Sequence, residues 1–173
     1  MPLKPDILTN GLTALFEGRD GYPADTGEAA RAWASLYRDY AATAAAGPTI
    51  PLATALTTAQ DGLAAHLEDA FDAARAHGPA ELAPTLDTAF TAFWLTPPVT
   101  LAFPGPPPVS GVVTVAPPGV LGSALAVVFA AGAAQGRTAA AQAEAVTGAI
   151  HDWTRTVVVV NTPPGPSAPV PLT

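Results

Sequence analysis

The first half of the chain carries apolar residues at the intervals of three and four that are typical of amphipathic helices. One short stretch and three longer ones have this spacing: residues 7–16, 25–47, 52–77 and 79–94. The pairs Gly47-Pro48 and Gly78-Pro79 separate the longer stretches, and such pairs end helices. The pattern therefore predicts an antiparallel bundle of helices in residues 1–94, joined by short turns.

Two side chains mark the starts of predicted helices. Asp25, followed three residues later by Glu28, has the pattern of a capping box, in which each side chain accepts a hydrogen bond from a backbone N–H at the helix start. Thr138 stands before the last helical pattern of the chain, whose apolar positions are Ala143, Val146, Ile150 and Trp153.

The second half predicts strands as well as helices. Pro97-Pro98 ends the helical pattern, and strand formers dominate three later segments: residues 99–103, 111–115 and 154–160. Residues 119–134 have the pattern of a helix that is apolar nearly all round, and we expect it to cover the sheet together with the helix after Thr138. The proline-rich end of the chain is unsuited to a helix or a sheet interior.

The predicted fold class is α+β and predominantly helical. It has an N-terminal antiparallel helical bundle over residues 1–94, and a small β-sheet with two covering helices over residues 95–161, packed on the bundle. An extended proline-rich tail over residues 162–173 completes it.

The charge pattern narrows the classes of partner. The chain has 14 acidic and 7 basic residues, a net charge of −7, and only 12% charged residues. Phosphate binding needs clustered Lys and Arg, so we expect no direct contact with nucleic acid. No charged residue lies between Asp87 and Arg137. A surface so poor in charge favours packing against neighbouring chains.

The chain contains no cysteine. This excludes disulfides and thiolate metal sites. Residues 1–21 have neither the long apolar core nor the small-residue cleavage pattern of a secretory signal, so a cytoplasmic origin is expected.

His66, Asp69 and Asp72 are a candidate metal site on the second long helix. His66 and Asp69 lie near one face, but a functional metal site needs three or more converging ligands, and no matching pair occurs elsewhere. We therefore expect a solvated acidic face, with no metal and no cofactor.

His151 and Asp152 are a candidate for acid–base chemistry. Adjacent residues of a helix point about 100° apart, so these two side chains do not form a dyad. No serine stands in a nucleophile-elbow context. We expect His151 to interact with the carbonyl groups at a helix end, and we predict no catalytic residues and no enzymatic activity.

The apolar run of residues 119–134 allows a second interpretation, a membrane-spanning helix. A span needs about twenty apolar residues, whereas Pro117-Pro118 and the segment Gln135-Gly136-Arg137 bound this run. No basic cluster flanks it to set an orientation. A buried helix over the sheet is the favoured interpretation.

Two segments resemble small structural proteins of tailed-phage particles and related contractile injection systems. They are FWLTPPVTLAFPG, residues 93–105, and AIHDWTRTVVVVNTPP, residues 149–164, in an Ala-, Thr- and Pro-rich chain without cysteine. The resemblance implies a protein that works by contact, with a strand that augments a neighbour's sheet and a tail that clamps the next subunit. It implies a virion or virion-like particle as the location, with synthesis in the host cytoplasm. It does not fix the component, be it neck, tail, baseplate or capsid decoration.

The first functional hypothesis is a non-enzymatic structural subunit of a large symmetric assembly, a homo-oligomer whose partners are other copies of itself and other particle proteins. The expected interface residues are Trp94, Phe103, Val157, Val158, Val159, Val160, Pro163, Pro164, Pro166, Pro169 and Pro171. The alternative is a small helical ligand- or peptide-binding domain with a pocket near Trp33, Tyr37 and Trp94. A third hypothesis is a membrane-associated protein that inserts residues 120–134.

Overall fold

Helices dominate the computed structural model. It describes residues 3–46, 50–51, 56, 59–95, 101–103, 109–161 and 169–171. Within these residues the α-helices are α1 (Pro5–Glu17), α2 (Thr26–Ala41), α3 (Ala59–His77), α4 (Leu82–Leu95), α5 (Val120–Gln135) and α6 (Ala139–Thr154), and a 3-10 turn, Pro79–Glu81, precedes α4. The prediction of a predominantly helical protein is confirmed.

These six helices of the described residues pack in a closed circuit. Each helix contacts the next one along the chain, and α6 packs back against α1. The buried residues of α1, such as Leu8 and Leu12, and those of α6, such as Val146 and Ile150, belong to one hydrophobic core. This core is therefore continuous across residue 94, where the sequence predicts a boundary.

Side-chain caps fix the starts of α2 and α6, as predicted. Asp25 Oδ1 accepts a hydrogen bond from the Glu28 backbone N–H at 2.7 Å. Glu28 Oε2 in turn accepts from the Ala24 N–H at 2.7 Å, one residue before the position that a capping box uses. Thr138 Oγ1 accepts from the Ala141 N–H at 3.2 Å. Each cap satisfies an N–H that has no partner inside the helix.

Short strands form the rest of the described regular structure. They are β1 (Ala45–Ala46), β2 (Ile50–Pro51), β3 (Leu101–Phe103), β4 (Val109–Thr114), β5 (Val158–Asn161) and β6 (Pro169–Pro171). β1 pairs with β2, and the other four pair antiparallel in the order β3-β4-β5-β6. β6 belongs to the proline-rich tail and lies at a sheet edge, where residues without an N–H are tolerated.

The last two helices pack differently from the prediction that they cover the sheet. In the described part of the chain, α5 packs mainly against α4 and α6, α6 packs mainly against α1 and α5, and α4 contacts β4. The apolar face of α6 packs on α1, a partner more than a hundred residues away in sequence. Periodicity identifies such a face but not what covers it.

The strand predicted from Thr154 begins later. Thr154 is the last residue of α6, and its hydroxyl donates to the Ile150 carbonyl at 2.8 Å. Its side chain is fully buried. Tertiary packing therefore keeps this β-branched residue helical despite its strand preference, and the strand starts at Val158.

Candidate contact surface on helix α5

Two of the predicted interface residues lie in the core of the single chain. Trp94 is 1% exposed, and its indole N–H donates to Tyr37 Oη at 2.8 Å. Val157 is fully buried. Their proposed role as interface anchors is therefore corrected: both stabilise this chain and present no side-chain surface to a neighbour. Val158 is half-buried at the start of β5.

The other predicted interface residues belong to the small sheet and the tail. The backbone of Phe103 lies in β3, that of Val159 and Val160 in β5, and that of Pro169 and Pro171 in β6. Pro163, Pro164 and Pro166 lie outside the described residues.

The region near Trp33, Tyr37 and Trp94 is a filled interior. Tyr37 Oη lies 3.2 Å from Thr154 Oγ1 in addition to its bond with Trp94. Phe90 and Phe93 pack edge-on against the Tyr37 ring, with centroid distances of 4.5 and 5.0 Å. Trp33 is also buried, and its ring packs against Phe16 and Phe71. Among the described residues, these side chains fill the place where the sequence predicts a ligand pocket.

His151 has a different partner from the predicted helix-end carbonyls. Its Nδ1 lies 2.8 Å from Tyr40 Oη, and the side chain is half-buried. Burial raises the pKa of both Tyr40 and Tyr37 well above the ordinary phenol value. These hydroxyls are therefore neutral structural groups that tie α2 to α6 at neutral pH.

An open cleft of about 480 Å³ lies elsewhere, between α1, the loop after it and α2. Its lining combines apolar side chains with a few polar ones: Gly11, Ala14, Leu15, Asp20, Gly21, Pro23, Glu28, Ala32, Ser35 and Leu36. Glu28 already accepts the Ala24 N–H, so this carboxylate is partly committed to capping α2.

The acidic face of α3 is solvated. His66, Asp69 and Asp72 are all exposed, and Asp72 accepts a hydrogen bond from the Thr26 hydroxyl at 2.8 Å. Among the residues that the structure describes, no group of three His, Cys, Asp or Glu side chains is placed to hold a metal ion. No described helix combines the length and the apolarity that crossing a membrane requires.

A buried carboxylate from α4 anchors the start of α5. Asp87 is 5% exposed, and its two oxygens accept from the backbone N–H groups of Gly119 at 2.7 Å and Gly122 at 3.1 Å. Gly119, the residue before α5, has φ +92° and offers no side-chain cap. A negative group at a helix N-terminus is stabilising. Asp87 therefore caps a helix that cannot cap itself.

Gly122 lets α5 approach α4 closely. A methyl group at this position would lie 3.3 Å from the Ala83 carbonyl oxygen and 3.3 Å from Asp87 Cβ. The inner side of α5 is completed by Leu121 and Leu125, which are fully buried. This docking fixes which side of the helix faces outward.

The outward side of α5 is uncharged and mostly apolar. Val127 is 70% exposed and Val120 is 48% exposed. Apart from Gln135 at the end of the helix, the other exposed positions are small: Ser123, Ala124, Ala126, Ala130, Ala133 and Ala134. A surface helix normally carries charged residues opposite its apolar face, and a helix that is apolar all round is normally buried. In the single chain α5 is buried on one side only.

The neighbouring helix α4 also exposes no charged group. Its outward positions are Pro84, Thr88 and Leu95, the last of which is 52% exposed. The Thr88 hydroxyl donates to the Pro84 carbonyl at 3.1 Å, so its hydrogen-bonding capacity is used within α4. We call the outward sides of α4 and α5, with Val127 as the most exposed large residue, the α4–α5 face.

Carboxylates occupy the other helices. Every acidic residue of the chain except Asp87 is exposed, and none lies on α5. The α4–α5 face is thus an uncharged region on an acidic molecule. The uncharged stretch after Asp87 was the sequence feature that indicated this face. An apolar run by itself, however, does not show whether a helix is covered by its own chain or by another chain.

The cap that Asp87 provides for α5 could not be predicted from the local sequence, because the N–H groups that it binds lie more than thirty residues away.

No family model, no curated protein and no solved structure matches this chain.

Proposed function

We propose that this protein is a non-enzymatic structural subunit of a large symmetric assembly and that it acts through contacts between subunits. The observation that supports the proposal is the outward side of α5, which exposes 70% of Val127 and 48% of Val120 without a charged residue in its length. Contiguous exposed apolar surface of this kind marks interaction sites.

The energetic argument rests on desolvation. Covering the exposed part of Val127 contributes on the order of 1 kcal/mol, and the alanines beside it contribute smaller amounts. Since no charged group on α5 would have to be desolvated, the usual penalty for burying ions is absent. Small outward side chains also let a partner approach the helix backbone closely.

The resemblance of residues 93–105 and 149–164 to structural proteins of tailed-phage particles supplies the proposed setting, a virion or virion-like particle. In that setting the small sheet and the proline-rich tail act as additional contacts. The tail, residues 162–173, contacts a neighbouring subunit beyond its pairing of β6 with β5 of the same chain, and the edge strand β3 offers backbone hydrogen-bonding groups that a neighbour's strand can use.

The test is the protein content of particles purified from the natural source. Mass spectrometry should find this chain as a stoichiometric component. A chain that lacks residues 162–173 should keep the helical circular dichroism of the full chain but be absent from the particles. Particles that never contain the chain, or that take up the truncated chain normally, would contradict the proposal.

The cleft between α1 and α2 favours the alternative, a ligand-binding domain, because its volume of about 480 Å³ lies within the range of small-molecule sites. A small molecule that raises the melting temperature of the full chain, and fails to do so after Leu36→Trp fills the cleft, would support this second candidate. Under the proposed structural role no such ligand is needed.

A further inference from the structure

No described segment of the chain covers the α4–α5 face, and the charge pattern of the face indicates which partner fits it. Exposed carboxylates stand on α1, α2, α3 and α6, and Glu81 is exposed in the 3-10 turn before α4, whereas α4 and α5 themselves expose none. With a net charge of −7, two copies of the chain repel each other in most orientations. They meet with the fewest facing carboxylates when the α5 sides of their α4–α5 faces come together, because α5 carries no charged residue.

We propose that the α4–α5 face binds the same face of a second copy of this chain across a two-fold axis near Val127. This inference rests on the proposed function and names its first partner. A two-fold contact places each residue opposite the same residue of the partner, so any charge near the axis would meet an identical charge. The α4–α5 face avoids this conflict because α5 has no charged residue in its length.

The position of Val127 selects it as the central contact. It lies near the middle of Val120–Gln135, and it points away from Leu125, which is fully buried against the body of the protein. The nearest exposed positions on the same side are Ser123, Ala124 and Ala130, all of them small, so two α5 helices can approach each other with the two Val127 side chains in contact.

The size of the face indicates a weak contact. A helix of this length is about 24 Å long and about 10 Å wide, and α4 adds a similar width, which gives roughly 400–500 Å² per chain. The total of roughly 900 Å² is below the 1,200 Å² or so at which stable interfaces begin. The expected dimer is therefore weak, with a dissociation constant in the micromolar range. Several such contacts in one assembly hold together by multivalency.

The experiment is sedimentation equilibrium of the full chain over concentrations from about 1 to about 500 μM, which bracket a micromolar dissociation constant. The wild-type chain should pass from monomer to dimer. Val127→Glu should weaken the dimer by at least about tenfold, because two carboxylates then meet near the axis. Ala65→Glu, which adds the same charge at an exposed position of α3, should dimerise like the wild type.

A mixture of variants makes the test specific for two-fold symmetry. Val127→Lys alone should also lose the dimer, whereas an equimolar mixture of Val127→Glu and Val127→Lys should regain it as a heterodimer. Circular dichroism of each variant should match the wild type, because the substituted side chain is mostly exposed. A monomeric wild type at every concentration, or a dimer that Val127→Glu leaves intact, would overturn the inference.

Two outcomes distinguish a failure of this inference from a failure of the proposed function. If the wild-type chain is monomeric but Val127→Glu disappears from purified particles while Ala65→Glu remains, the face binds a different chain: the two-fold contact is then refuted and the structural role is supported. If the dimer forms as expected but the chain is absent from particles, the contact stands and the proposed setting is refuted.

Discussion

At the scale of single residues, buried polar groups decide how the helices are placed. Asp87 joins α4 to the start of α5 through two backbone N–H groups. The hydroxyl of Tyr37 joins α2 to Trp94 of α4 and to Thr154 of α6. Each of these groups stabilises the fold mainly because its removal would leave a buried partner without a hydrogen bond.

Asp87→Ala should lower the free energy of unfolding by about 1–3 kcal/mol, because the Gly119 and Gly122 N–H groups lose their acceptor and α5 loses its cap. Urea denaturation measures the change. Asp69→Ala, which removes an exposed carboxylate from α3, is the matched control and should change stability by less than about 0.5 kcal/mol. Equal effects of the two substitutions would contradict the role assigned to Asp87.

The buried tyrosines predict a loss of stability in alkali. Burial raises the folded-state pKa of Tyr37 and Tyr40 above the ordinary value of 10.0. Above that pH the unfolded chain loses the phenol protons while the folded chain keeps them. The unfolded state then binds fewer protons, so the free energy of unfolding falls as pH rises past about 10.

Melting temperatures measured from about pH 8 to about pH 11, across the ordinary phenol pKa, should therefore decline. Tyr40→Phe should make this decline shallower, although it lowers stability at neutral pH by removing the bond to His151. Tyr22→Phe is the matched control, because this tyrosine is 74% exposed. A pH dependence that Tyr40→Phe leaves unchanged would show that the buried phenols do not set the alkaline limit.

At the scale of elements, the sequence predicts where a helix begins better than it predicts which side of the helix is buried. The starts of α2 and α6 were predictable, because Asp25 and Thr138 bond to N–H groups three residues away. The packing of α5 was not predictable, because a helix that is apolar all round gives no indication of which side is buried. The buried Trp94 was misassigned to an interface for a similar reason: an aromatic residue that packs inside its own chain has the same local pattern as one that packs outside.

Two helical glycines test the packing of α5 and α6. Gly148 of α6 has open space where a Cβ would stand, so Gly148→Ala should stabilise the protein by about 0.5–1 kcal/mol through helix propensity. At Gly122 the new methyl group would press on α4, so Gly122→Ala should lose that gain and be neutral or destabilising. Thermal unfolding measures both, and equal stabilisation by the two substitutions would contradict the close contact between α4 and α5.

At the scale of the whole molecule, a closed circuit of helices supports one uncharged face. The contact of α6 with α1 completes the circuit and joins both halves of the chain in one core. Sequence reasoning predicted the helical content of both halves, but this contact joins residues far apart in the chain and leaves no local pattern. The low charge of the second half was evident in the sequence. Only the structure shows that uncharged surface lies on the outward sides of α4 and α5.

The most direct measurement of the central claim uses the absence of cysteine from the chain. Val127→Cys introduces a single thiol, and a two-fold contact near this residue brings two such thiols within disulfide reach. Under mild oxidation at high protein concentration, we predict that Val127→Cys forms a covalent dimer much faster than Ala65→Cys, which places its thiol on the exposed surface of α3. Equal, slow cross-linking of the two variants would contradict the claim that the α4–α5 face joins one copy of this chain to another.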